Sequence, residues 1–150
     1  MEVSKISNKY VILGYRIAAF VIIALGLLTT TGVFAGHAKY QILFAYTIQS
    51  NIVVLAFFAV LIVGTAAGIA RGADAKEGAY GFYPVASFAI SFAILITMLI
   101  FWGILAPPMA WGNAYLMTFS NLGVHLFCPL LMIGDRLLFY KKRVMKKHEP

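Results

Sequence analysis

The sequence holds one cysteine, Cys128, in 150 residues, so an intramolecular disulfide is excluded and the redox compartment cannot be read from thiols. Charge is scarce. Asp, Glu, Lys and Arg together make up 11%, and only five residues are acidic, against about a quarter charged in an ordinary soluble domain. No CxxC pair, HExxH helix, phosphate loop or G-x-S-x-G elbow occurs. The usual signatures of a zinc site, a nucleotide site or an α/β-hydrolase are therefore missing, and no metal or cofactor is expected.

What is present is hydrocarbon. The chain is 62% hydrophobic, with a mean hydropathy of +0.89. That apolar surface exceeds what a soluble core of this length can hide, and most of the charges fall between long apolar runs. A run of ~20 apolar residues crosses ~30 Å of hydrocarbon. Four runs meet that length, at about 10–34, 42–70, 84–106 and 113–140 (boundaries of this kind shift by about two to four residues). The expected fold is all-α: one polytopic transmembrane domain over 1–150, with four helices in a bundle. The first run is too long, and its leading stretch too polar, for a secretory signal, so it reads as a retained helix. Pro107 and Pro108 lack backbone donors and should end the third helix.

Net charge is +7, but the basic residues flank spans and do not point to nucleic acid. Lys5 and Lys9 precede the first span. Arg71 and Lys76 lie between the second and third. Lys141, Lys142, Arg143, Lys146 and Lys147 follow the fourth, and the other two loops contribute only Lys39. The positive-inside rule then puts both termini in the cytoplasm, as in a multi-pass protein of the cell membrane. Tyr40, Trp102, Trp111 and Tyr115 fall near the outer ends, as an interfacial aromatic belt requires.

Polar residues inside the spans are the candidates for function. His125 lies in the middle of the last run, and an ionisable group at that depth marks a functional site by default. Thr47 and Asn51 share one face of the second span, and Asn121 and His125 share one face of the fourth, each pair being four residues apart. Pro129 cannot donate to the His125 carbonyl and leaves that oxygen free. These residues suggest a polar cavity with a hydroxyl nucleophile, Thr47, and an imidazole base, His125. Counted from the outer ends at ~1.5 Å per residue, Thr47 lies roughly 8 Å deep and His125 roughly 18 Å. The competing reading is glue, since Thr, Ser, Asn and His commonly bond across membrane helices. Cys128 reads as inert packing more readily than as a nucleophile. Ser50–Phe57 and Ser120–Phe127 form a weak internal repeat (SNIVVLAF and SNLGVHLF), of the parallel kind related by an axis along the membrane normal. At the other end of the membrane, Arg16 and Asp135 lie at similar depth and are expected to form a buried ion pair.

Two segments carry a resemblance: Phe44-Ala45-Tyr46-Thr47-Ile48-Gln49-Ser50-Asn51, and Asn121 through His125 and Pro129 to Asp135. With Phe101-Trp102 and Ala106-Pro107 they resemble a bacterial family of six-span integral-membrane proteins of unknown function. That family is similar to the animal androgen-induced and androgen-dependent TFPI-regulating proteins, which hydrolyse fatty acid esters of hydroxy fatty acids. The resemblance implies a threonine nucleophile at Thr47 and an essential histidine at His125. Ser50, Asn51 and Asn121 are candidates to contact the substrate or its oxyanion. The family type has six spans and this sequence shows four, so the resemblance implies either that two helices are absent or that a second copy supplies the missing walls. The expected partners are membrane lipids and a further copy of the chain. Two other functions fit the same residues: a subunit of a small-solute or proton-coupled transporter, relaying protons through His125, and a non-enzymatic membrane assembly protein.

Overall fold

The computed structural model describes residues 8–36, 44–72, 83–109 and 113–139. Helix α1 covers Lys9–Thr30 and is capped by Asn8, whose side chain accepts from the Tyr10 amide. Helix α2 covers Tyr46–Ala70. Helix α3 covers Tyr83–Ile100 and runs into a π turn, Phe101–Leu105. The fourth span, Phe119–Phe139, is composite: α4 (Phe119–Leu122), a π turn (Gly123–Phe127) and α5 (Cys128–Phe139).

The helix ends differ from the sequence expectation for identifiable reasons. The first helix stops at Thr30, not 34, because Gly32 takes a left-handed conformation at φ 74° and opens a short 3-10 turn. That backbone region suits glycine, which has no Cβ to clash. The second helix starts at Tyr46, not 42; Phe44 and Ala45 precede it outside the helix, and 42–43 lie outside the described residues. The fourth helix starts at Phe119, not 113. Ala114–Met117 is a 3-10 turn, and Thr118 has extended backbone (ψ 146°) with its side chain accepting from the Asn121 amide. Threonine is a favoured N-cap for this reason. Thr118 is thus a cap, not a polar group within a continuous helix. The expected positions of Tyr40 and Trp111 lie outside the described residues.

Helix α1 runs antiparallel to α2 and to the fourth span, and α3 runs antiparallel to the fourth span. Arg16, early in α1, meets Thr65 late in α2 and Asp135 late in α5. Thr30, at the end of α1, meets Ser120 at the start of α4. Arg136 late in α5 stands over the ring of Phe88 early in α3, 4.9 Å from its centroid. The starts of α1 and α3 and the ends of α2 and α5 therefore share one face of the bundle. The core is a central stripe that includes Ile23, Val54, Phe58, Ile94, Val124 and Met132. Only 22% to 39% of each span's most apolar window is buried inside the bundle. The remaining outward surface is also apolar, with Val21, Val53, Val63, Phe88 and Leu137 exposed, and patches of this extent belong against lipid. The chain is a polytopic membrane protein, with four helices among the described residues long and apolar enough to cross a bilayer.

Candidate functional site

The site begins with two carbonyls that the fourth span cannot satisfy by itself. In the π turn the Cys128 amide bonds to Gly123 O, five residues back, so Val124 O loses its usual donor. Pro129 removes the donor for His125 O. Each freed oxygen is taken by a side chain from a different helix. Asn51 Nδ2 on α2 donates to Val124 O at 3.1 Å, and Trp102 Nε1 beyond α3 donates to His125 O at 3.0 Å. A backbone oxygen left without a partner in hydrocarbon costs several kcal/mol, so these two side chains allow the irregular turn to exist there. π turns recur at functional sites.

The His125 ring lies face to face on Phe101, with centroids 3.5 Å apart and planes within 13°. Its Nδ1 is buried without a hydrogen-bond partner. Phe101 and Trp102 open the π turn that ends the third span, so the two π turns pack against each other. Trp102, expected only as a belt residue, is a direct partner of the histidine turn. The sequence offered an indole donor and a proline-freed carbonyl but nothing that paired them.

Thr47 is half-buried in the first turn of α2. Its carbonyl accepts from Ser50 Oγ at 2.9 Å and from Asn51 Nδ2 at 2.7 Å. The same Asn51 nitrogen therefore holds the Thr47 turn and the His125 turn together. The start of α2 is four residues later than the sequence suggested, and that of the fourth span six residues later. Thr47 is thus the second residue of its helix and His125 the seventh of its span, five residues apart in depth where the expected starts gave seven, and the Asn51 side chain bridges their turns. The structure does not join Thr47 Oγ to the imidazole by a hydrogen bond; among the described residues that hydroxyl has none.

The other candidates have defined tasks. Both hydrogens of the Asn51 amide are committed to carbonyls, so its work is to fix two turns, not to serve an oxyanion. Asn121 is buried and donates to Leu116 O at 3.0 Å, which among the described residues leaves one amide hydrogen uncommitted. Ser50 spends its hydroxyl proton on Thr47 O. The Oδ1 atoms of Asn51 and Asn121 are both buried and unpartnered. Cys128 is fully buried. Among the described residues no three His, Cys, Asp or Glu side chains cluster as a metal site would require.

Far from this site, the structure brings Arg16 and Asp135 together. Arg16 Nε donates to Oδ1 at 2.9 Å and Nη2 to Oδ2 at 3.4 Å, while Nη1 donates to Thr65 Oγ1. Thr65 in turn donates to Leu61 O at 2.6 Å. Arg16 is 3% exposed and Asp135 0%. Thr65 is the member that the sequence did not single out.

The chain matches no known protein-family model, no curated protein and no solved structure.

Proposed function

We propose that this chain is a multi-pass protein of the cell membrane that hydrolyses lipid esters within the bilayer, with Thr47 as nucleophile and His125 as base. One observation carries the reading: a single buried amide nitrogen, Asn51 Nδ2, ties the Thr47 turn to the turn that presents His125. The unpartnered Nδ1 of His125 supports it, since a base must have a lone pair free to receive a proton.

In this reading Thr47 Oγ attacks the ester carbonyl carbon. Its proton passes to the imidazole, directly or through one water. The C–O bond to the alcohol breaks, the alcohol leaves with the proton returned by the imidazolium, and the acyl group remains on Thr47. Water then attacks the acyl-threonine with the same imidazole as base, which releases the fatty acid and restores the hydroxyl. Threonine needs such activation because its free hydroxyl is a weak nucleophile. The uncommitted amide hydrogen of Asn121 is the side-chain donor assigned to the oxyanion. The Thr47 and His125 segments resemble a bacterial membrane family of unknown function that is itself similar to animal hydrolases of fatty acid esters, and this favours the same substrate class.

The test uses the purified chain in mild detergent with a fluorophosphonate probe, which labels activated hydroxyls. Wild type should label, and Thr47→Ala and His125→Ala should not. An unlabelled, well-folded wild type would sink the reading.

A second reading, a non-enzymatic assembly protein, is favoured by one observation. Asn51, Trp102, Arg16, Asp135 and Thr65 all spend polar atoms between helices. Under it both variants would fold and the wild type would stay unlabelled.

A further inference from the structure

Between the first two turns of α2 and the middle of α3 runs an open groove of about 370 Å³. Its α3 wall is hollow because Ala89 and Ala93, one turn apart, present only methyl groups, with Ile90 and Ile94 completing that wall. Its α2 wall is Tyr46, Gln49, Ser50 and Val53. The polar groups therefore lie at one end. Tyr46 and Gln49 are exposed, and they sit at the start of α2, on the side of the bundle that charge distribution places outermost. Ser50 adds no free donor, since its proton goes to Thr47 O. A second groove, bounded by Ile22, Phe119, Phe127 and Leu130, has no polar lining residue at all, so nothing in it would orient an amphiphile.

We propose that the α2–α3 groove binds one acyl chain of an outer-leaflet lipid, its polar head beside Tyr46 and Gln49 and its tail along Ala93 and Ala89. An apolar hollow at this depth faces hydrocarbon. Left empty, its lining atoms would lose their dispersion partners on one side, and a flexible acyl chain restores them. Tyrosine suits the head end because its ring is apolar and its hydroxyl is polar. The tail direction follows from antiparallel packing: along α3, Ile94 lies nearer the outer side than Ala89. The site does not rest on the hydrolase reading, because it requires only that α2 and α3 face lipid.

The experiment reconstitutes the full chain in phosphatidylcholine nanodiscs containing a trace of phosphatidylcholine with a diazirine at the middle or the end of one acyl chain. After irradiation, adducts are mapped by mass spectrometry. We expect adducts concentrated several-fold at Val53, Ala89 and Ala93 relative to Val21 and Leu25, which are exposed on α1. The chain-end probe should mark Ala89 more than the mid-chain probe does. Ala93→Phe should fill the hollow and abolish the concentration. Ala89→Phe, at an exposed position, should do the same even if Ala93→Phe misfolds. Adducts spread evenly over all four helices, or a pattern unchanged by Ala89→Phe, would overturn the proposal. A reversed depth order would also overturn it, by contradicting the assigned head-to-tail direction. The readout is independent of Thr47 labelling, so the two proposals fail separately.

Discussion

Gly26 of α1 and Gly123 of the fourth span touch backbone to backbone. A Cβ placed on Gly123 would stand 2.8 Å from the Gly26 Cα, and one on Gly26 would stand 3.1 Å from the Gly123 Cα. Gly123 also accepts the π-turn bond from Cys128. The contact that seats α1 against the fourth span is therefore made at the first residue of the histidine turn. Close approach through small residues is a general solution for helices in lipid, where the hydrophobic effect does not drive helices together.

Gly123→Ala should destabilise the bundle by about 1–3 kcal/mol, because the obstructing atoms are backbone and the helices must separate. Gly26→Ala should do so less. Gly14 has open space around it and lies exposed mid-helix, so Gly14→Ala should be neutral or gain up to about 1 kcal/mol from helix propensity. Thermal unfolding in one detergent would rank the three. A Gly123→Ala chain as stable as wild type would contradict the close contact.

Breaking the buried pair should be costly. Arg16→Met or Asp135→Leu alone leaves one uncompensated charge and should lose about 3–5 kcal/mol, whereas the double variant should lose much less than the sum. Denaturation of all four chains gives the coupling energy directly. Additive losses would mean that the two side chains do not stabilise each other.

Trp102→Phe keeps an aromatic ring but removes the donor to His125 O. It should cost about 1–3 kcal/mol, the penalty for an acceptor left unsatisfied. Pro129→Ala returns an amide to the helix at the position that serves that carbonyl. The loss on Trp102→Phe should therefore shrink in the Pro129→Ala background. An equal loss in both backgrounds would show that the indole acts by packing alone.

Thr47→Val removes a hydroxyl that bonds nothing among the described residues. Stability should stay within about 0.5 kcal/mol of wild type, as for substitutions that break no partner, while fluorophosphonate labelling disappears. Thr47→Ser, which keeps the hydroxyl, should retain labelling. A large stability loss in Thr47→Val would point to a packing role for the residue.

The sequence by itself determined the class of this protein. Apolar runs long enough to cross hydrocarbon dictate four helices, because only internally bonded backbone survives there. Arg16 and Asp135 were legible as partners because two opposite charges at equal depth in the same bundle have few alternatives. Pro129 revealed a free carbonyl at His125 because the missing donor is a covalent property of proline. Only the tertiary structure decided what takes that oxygen and what takes its neighbour. Trp102 and Asn51 reach them from other helices, and such pairings depend on helix rotation and register, which apolar periodicity leaves open when every face is hydrophobic. The helix starts from which the depths of Thr47 and His125 are counted were not legible for the same kind of reason. Composition does not distinguish the 3-10 turn at Ala114–Met117 from the helix that follows; the cap at Thr118 does. The contact of Gly26 with Gly123 was likewise invisible, because a glycine's use lies in the neighbour that comes close to it.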